Sequence, residues 1–526
     1  MSTRTAPSIV SALAVSRETV RLWGLLAIAA AAAIVAGYAS SVAFAAFALL
    51  LVAVFAYVAY RSPRGMLTLL VLTPLLDRYL IRNLVAPRWQ AEAQLLSEGL
   101  LVLVAAAIFV HARREGRILD TIRHPATLFG SGFVVVAVIG ALVNGVPPVV
   151  AGLGLLTTID GLFVFYLARA IGLTERDGVV AMVAFTAIAV VAAILALGQV
   201  ILAPDILGLV TFNGRFNDGL RPGSFFTAQP NMLAAVLALP IPFTAFVAGE
   251  PSVDRRRRVL AAVALFILLL AFVYTFSRGT WVALAVALIG TGLVVNRRAL
   301  VIGLVATVIA VATAFAAPRG LLLPAGSQWS IDVGNATLGR IEAISAGNDQ
   351  RIKFIQNALP ILIEHPIVGT GPGTYGGGIA ARFGSPLYAS YTSGTVPDDR
   401  TVDNYWLHLV VEFGIAGAAL MVGLLGWLML EIVRGARRAT GMRRALLGGI
   451  AAATVVSAIV SATEMLLEGN TTTFPLFFFL GVGTLLAARG AEVPDVAPQT
   501  LEPATEPAKE TPDNPPDGAA SEVSPA

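Results

Sequence analysis

The side chains best suited to chemistry in this 526-residue sequence are arginines at the ends of apolar runs. Arg221 lies in Gly219-Leu-Arg221-Pro-Gly223-Ser-Phe-Phe-Thr-Ala-Gln-Pro230-Asn231, and Arg278 in Phe276-Ser277-Arg278-Gly279, a turn too short to lift a guanidinium far from a membrane interface. A cation held there is costly unless an anion meets it. Snorkelling to lipid phosphates is one outlet. A bound polyanion is the other, and two arginines on a face otherwise poor in basic residues favour it. A second group opens a later apolar run: Asp403-Asn404-Tyr405-Trp406-Leu407-His408, followed by Glu412. His408 and Glu412 share a helix face at i, i+4, the spacing of an imidazole held by a carboxylate. Asp403 and His408 lie roughly 140° apart on a helix, so they do not share a face. Asp403 reads as either an N-cap or a catalytic carboxylate. Asp160, mid-run in Thr157-Thr-Ile-Asp160-Gly161, needs a cation, a polar cavity or an interhelical hydrogen bond. The chain has no Cys and only four His, at 111, 124, 365 and 408. That excludes disulfides and thiolate centres, and no metal or cofactor is expected.

Apolar helices must position these groups. Apolar residues make up 57% of the chain and charged residues 13%, against about 45–50% and about 25% in soluble domains. The fold class is therefore an all-α integral membrane protein. A bilayer core about 30 Å thick needs about 20 apolar residues per helix. About fourteen transmembrane helices are expected on that length criterion, near 22–38, 41–60, 65–81, 96–112, 127–146, 149–170, 178–201, 229–248, 258–276, 279–296, 299–317, 403–431, 445–466 and 472–488. Helices 1–11 fill 22–317 and helices 12–14 fill 403–488. A segment at 1–21 precedes them, and 489–526 is an acidic, Pro-rich tail expected to be disordered. From Ala491 onward that tail has eight acidic residues and one Lys, which leaves the preceding 490 residues with a net charge of +11.

Those basic residues form no single patch, so nucleic acid is not an expected partner. With an even number of spans and a cytoplasmic N-terminus, 24 of the 36 Lys and Arg fall on the cytoplasmic side, as the positive-inside rule requires. Arg221 and Arg278 then face outward, with one long extracytoplasmic loop at 318–402. Inside that loop, Arg351-Ile-Lys-Phe-Ile-Gln-Asn-Ala-Leu-Pro360-Ile-Leu-Ile-Glu-His365-Pro366 sets Ile352, Ile355, Leu359 and Ile363 at helical spacing. This is an amphipathic helix for the membrane surface or the bundle. His365-Pro366 should end it. Gly369-Thr-Gly371-Pro-Gly373-Thr-Tyr375-Gly-Gly-Gly378 lacks the Gly-Lys-Ser/Thr of a nucleotide loop. It reads as a tight backbone reversal near the membrane surface, and Gly414 and Gly417 as residues that permit close helix packing.

In order, these segments resemble the O-antigen ligase and polymerase group of bacterial membrane polysaccharide transferases. The likeness covers about residues 220–430 and is carried by Arg221-Pro-Gly-Ser-Phe with Pro230-Asn231, by Ser277-Arg278-Gly279, by Arg351 with His365-Pro366-Ile-Val-Gly369-Thr-Gly371-Pro-Gly373, and by Asp403-Asn404 followed after nine residues by Gly414-Ile-Ala-Gly417. The resemblance implies a C-type glycosyltransferase fold in the bacterial cytoplasmic membrane, with both termini cytoplasmic. The implied donor is a polyprenyl-diphosphate-linked oligosaccharide, and the implied acceptor a glycan or lipid hydroxyl. Transfer is expected without metal or nucleotide sugar. Arg221 and Arg278 are expected to hold the diphosphate, with Arg215 and Arg351 as further cations. Asn231, Asn404, Glu412 and Asp160 are expected in support. Asp403 stands where the ligases carry a histidine, and a carboxylate stabilised at a helix N-terminus is a weaker base. His408, about 7.5 Å along the helix, is the other candidate for activating the acceptor. The competing class is a transporter or flippase for a lipid-linked or anionic solute. Convergence of Arg221, Arg278 and the Asp403 end on one outer cavity favours the transferase, and a pathway through the midplane favours transport.

Overall fold

The computed structural model describes residues 17–75, 84–202, 221–224, 227, 229–317, 321, 350–385, 387, 402–468 and 470–489. Its helices are α1 (Arg17–Ala39), α2 (Ser41–Arg61), α3 (Pro63–Leu72), α4 (Gln90–Arg114), α5 (Ile118–Ile122), α6 (Ala126–Val143), α7 (Pro148–Ala170), α8 (Glu175–Ile201), α9 (Pro230–Ala238), α10 (Pro240–Gly249), α11 (Arg255–Tyr274), α12 (Arg278–Val295), α13 (Arg297–Ala316), α14 (Gln350–Glu364), α15 (Gly378–Phe383), α16 (Tyr405–Arg438), α17 (Gly441–Val460) and α18 (Asn470–Arg489). Among the described residues there is no strand, only an isolated bridge between Ser224 and Thr227.

Eleven stretches of these helices are long and apolar enough to cross a bilayer, and two shorter apolar ones, Ala46–Arg61 and Pro63–Leu75, stand beside them. The chain is thus a multi-pass membrane protein. The count of fourteen is not reached by length and apolarity. The third expected span is a single ten-residue helix followed by a 3-10 turn at Thr73–Leu75, and residues 76–83, with Asp77 and Arg78, lie outside the described residues. The segments 1–16 and 490–526 do too.

Burial grades from rim to centre. The α9–α10 span is 94% buried, whereas Arg297–Ala316 is 22% buried. The former, with α17 and α18, forms the middle of the bundle, and α13 shows most of its apolar surface to the outside. A membrane helix can do this because lipid tails are as apolar as its side chains. Glycines set the closest approaches. A Cβ on Gly448 or Gly449 of α17 would meet Phe246 or Phe243 of α10 within 2.7 Å.

The connections gather at two ends. At one, Arg64 pairs with Asp177, Arg443 with Glu175 and Arg444 with Glu250, while Arg117 donates to the Ile171 carbonyl and Asn296 to that of Gly249. At the other, Asn144 donates to the Gly369 carbonyl, Arg221 to that of Thr275, and Asn231 to Glu464. This is the alternation that successive crossings produce. The arginines assigned to the cytoplasmic side cluster at the first end.

Two expectations need correction. The helix α17 stops at Val460, not near 466, which frees Ser461 to Glu468 as a polar turn. The N-cap of α16 is Asn404, whose side chain accepts from the Leu407 amide, and not the exposed Asp403. In α14, Phe354, Ala358 and Ile361 pack against the protein, while Ile355, Leu359 and Ile363 of the expected apolar stripe are exposed, an arrangement compatible with the membrane-surface alternative. The helix is apolar on both sides, so spacing alone did not say which stripe faces the protein.

Candidate active site

The arginine end is built on a strained turn. Between α11 and α12, Phe276 takes φ 51°, a left-handed conformation uncommon for a non-glycine residue. The turn aims the Thr275 carbonyl outward, and Arg221 Nε donates to it at 2.8 Å. Arg221 Nη2 donates to Asn231 Oδ1 at 2.7 Å, and Asn231 Nδ2 donates to Glu464 Oε1 at 2.8 Å. Two acceptors on different edges fix the plane of the guanidinium. Arg278 opens α12 three residues after Thr275 and is exposed. Its neighbour Gly279 lies against Thr463, where a Cβ would sit 3.2 Å from Oγ1. Asn231, which holds Arg221, and Gly279, the neighbour of Arg278, therefore both meet the 461–468 turn.

That turn leads to the second half of the site. Glu468 Oε1 accepts the Gly378 amide at 2.8 Å, and a Cβ on Gly377 would touch both Glu468 Oε1 and His408 Cε1 at 2.8 Å. His408 is buried, with Nδ1 2.6 Å from the Tyr375 carbonyl and 3.7 Å from Glu412 Oε1. Glu412 is fully buried and accepts two backbone amides, those of Gly373 and Tyr375, each at 2.7 Å.

The glycine-rich segment is thus no surface reversal. It threads as a strap into a break in α16, where Gly414 adopts φ 64° and ψ −174°, a combination essentially confined to glycine. In an unbroken helix the amides of Ile415 and Ala416 would bond the carbonyls of Val411 and Glu412. Here Ile415 and Ala416 donate instead to Pro366 and Ile367, while Thr370 and Gly371 donate to Val411 and Glu412. These four backbone groups released by the break are thereby paired, as a buried backbone requires. Gly414 consequently serves the strap and not helix packing, since a Cβ there would collide with the Ile367 backbone. Gly417 does face a neighbouring helix, at Phe133 of α6. Gly140 of α6 and Gly154 of α7 admit the strap on its other side.

Asp160 is buried in α7 and accepts the Gly161 amide. The carboxylates of Glu468, Asp160 and Glu412 all lie within electrostatic range of the buried Tyr405 hydroxyl. Arg351 starts the first turn of α14, but its side chain, like the whole of Arg215, lies outside the described residues. Asp403 is exposed just ahead of the Asn404 cap, and Val402 beside it donates its amide to Gly376. Sequence reading missed Glu464, Glu468 and Tyr405. The signal for the first two was a carboxylate pair inside an apolar stretch. Among the described residues no group of three His, Cys, Asp or Glu side chains is arranged to hold a metal ion.

A comparison with curated proteins finds no match to this chain. The family model described as O-antigen ligase matches residues 263–422, from within α11 to within α16, which include Arg278, the strap, Asp403, His408 and Glu412 but neither Arg221 nor the 461–468 turn. Across that segment the chain is similar to the O-antigen ligase family.

Proposed function

We propose that this protein transfers or polymerises a polyprenyl-diphosphate-linked glycan onto an acceptor hydroxyl at the outer face of the bacterial cytoplasmic membrane. The observation that carries the reading is the anchoring of Arg221 to the turn that opens into Arg278. It ties Arg221 to the start of the Arg278 helix at the arginine-poor end of the bundle, on the 461–468 turn whose Glu468 lies near His408. That convergence supports transfer over transport.

The chemistry follows from charge. Breaking the bond between the anomeric carbon and the phosphate oxygen leaves negative charge on the diphosphate. Guanidinium groups held in advance where that charge appears stabilise it without reorganising. In this reading they take the role of a metal, and no nucleotide sugar is needed. The end rich in paired arginines faces the cytoplasm, where basic loops are retained.

The test is Arg278→Ala and Arg221→Ala in proteoliposomes with an undecaprenyl-diphosphate-linked oligosaccharide. Transfer should fall about a hundredfold to a thousandfold in each, the cost of losing one such donor, while membrane insertion is retained. Near-normal turnover in either variant removes that residue from the site, and product from neither the parent nor the variants removes the transferase reading.

A further inference from the structure

The side-chain amide of Asn231 stands between two groups whose polarity is fixed. A guanidinium only donates hydrogen bonds and a carboxylate only accepts them. Arg221 Nη2 lies 2.7 Å from Asn231 Oδ1, and Glu464 Oε1 lies 2.8 Å from Asn231 Nδ2. One orientation of the amide therefore satisfies both neighbours. The flipped one sets donor against donor and acceptor against acceptor.

The two outer groups differ in how they are held. Arg221 is the group that meets the substrate, so it cannot also be the reference that fixes its own acceptor. Asn231 is the second residue of α9, behind Pro230, in the span that is 94% buried. Packing fixes its backbone and leaves only the rotation of its side chain to be set. Glu464 is anchored without help from Arg221. The amides of Thr463 and Glu464 both donate to the Val460 carbonyl, at 2.8 and 3.0 Å, and the Ser461 carbonyl accepts the Tyr405 amide at 2.8 Å. The carboxylate thus stands on a turn fastened to the end of α17 and the start of α16.

Resting on the transferase reading, we propose that Glu464 is a positioning residue for the donor diphosphate: acting through Asn231, it holds the Arg221 guanidinium in the plane that meets the phosphate oxygens. It keeps Oδ1 toward Arg221 when the guanidinium engages the diphosphate, in place of an NH2 group that would repel it. A charged acceptor at Nδ2 also polarises the amide and strengthens Oδ1 as an acceptor, because linked hydrogen bonds reinforce one another. Glu464 acts on the donor only through this relay. It lies, with Arg221 and Asn231, outside residues 263–422, the segment similar to the O-antigen ligase family, so the assignment stands on the geometry of this chain.

The test measures initial rates of the full-length protein in proteoliposomes, with an undecaprenyl-diphosphate-linked oligosaccharide as donor and a fluorescent oligosaccharide as acceptor. Glu464→Leu is close in volume and removes the hydrogen-bond acceptor. It should lower kcat/KM for the donor about tenfold and leave the KM for the acceptor within about twofold. Glu464→Gln keeps an oxygen for Nδ2 and should lose only about threefold. The decisive readout is a reversal of polarity. Asn231→Asp sets two carboxylates against each other and should lower kcat/KM for the donor at least as far as Glu464→Leu. Combined with Glu464→Gln, the new NH2 at 464 can donate to the new carboxylate at 231, which still accepts from Arg221, and the rate should return to within about threefold of the parent. A residue needed only for the fold of its turn predicts no such recovery, and thermal melts of these variants should not follow the order of their rates. In an Arg221→Ala background, Glu464→Leu should cost less than about twofold further. If Glu464→Leu fails to fold, the double variant decides. Additive losses in the double variant, or an equal loss from Glu464→Leu with and without Arg221, overturns the relay and leaves the transferase reading intact where Arg278→Ala is inactive. Absence of product from the parent protein overturns both.

Discussion

Replacing Glu412 with Gln is the sharpest probe of the strap. Its carboxylate takes the Gly373 amide on Oε2 and the Tyr375 amide on Oε1. A glutamine offers one oxygen to two donors and turns its NH2 toward the other. One charge-assisted bond, worth about 1.5–3 kcal/mol, becomes a neutral bond, and one buried amide is orphaned at a further cost of about 1–3 kcal/mol. The summed loss is about 2–4 kcal/mol, confined to residues that hold His408. Hydrogen exchange in detergent or nanodiscs should show the Gly373 and Tyr375 amides losing protection by about 1.5 to 3 orders of magnitude, at about 1.4 kcal/mol per tenfold, while α8 and α17 stay protected. A thermal melt should report a lower midpoint for the same variant. Unchanged protection at both amides would refute the claim that this carboxylate clamps the strap.

Other substitutions separate the parts of the molecule. Asn231→Ala removes both an acceptor for Arg221 and the link to Glu464, and should reduce kcat/KM for the donor about tenfold, read by initial rates. Gly377→Ala would bring a methyl group to 2.8 Å from both Glu468 and His408, and should impair turnover more than it lowers the melting midpoint. At the opposite end, burial pushes the Glu250 carboxyl up, but hydrogen bonds from Arg444 at 2.7 Å and Ser252 at 2.6 Å outweigh it and hold the group below its ordinary value. A depressed carboxyl stabilises the fold above the ordinary value, about 4.3, and that stabilisation is lost as pH falls through the lower folded value. Glu250→Gln should accordingly flatten the drop in melting temperature on acidification below about pH 4.

Much of the bundle is legible in the sequence because lipid demands long apolar runs, and alternation of charge then sorts their ends. Arg64, Arg117, Arg443 and Arg444, all assigned to one side, contact acidic or carbonyl groups of the loops they share. What was hidden depends on tertiary contacts. Met465-Leu466-Leu467 continues the apolar character of α17, so nothing local announces that the helix stops at Val460 and leaves Glu464 and Glu468 in a turn. Asp403 and Asn404 are both competent caps, and only the placement of the first turn selects Asn404. The glycine-rich run has the composition of a surface turn. Its burial follows from Gly140, Gly154 and Gly414, residues on three other helices whose missing side chains leave the channel it fills.

The clamp also carries a consequence for biogenesis. Its hydrogen bonds join residues 37 to 41 positions apart, with the strap always the earlier partner. During translation the strap leaves the ribosome before the segment that receives it exists in the bilayer. It must therefore wait at the membrane surface until Glu412 and the break at Gly414 have been inserted, and only then enter. Completion of this end of the bundle is a late docking event, separable in time from insertion of the helices around it.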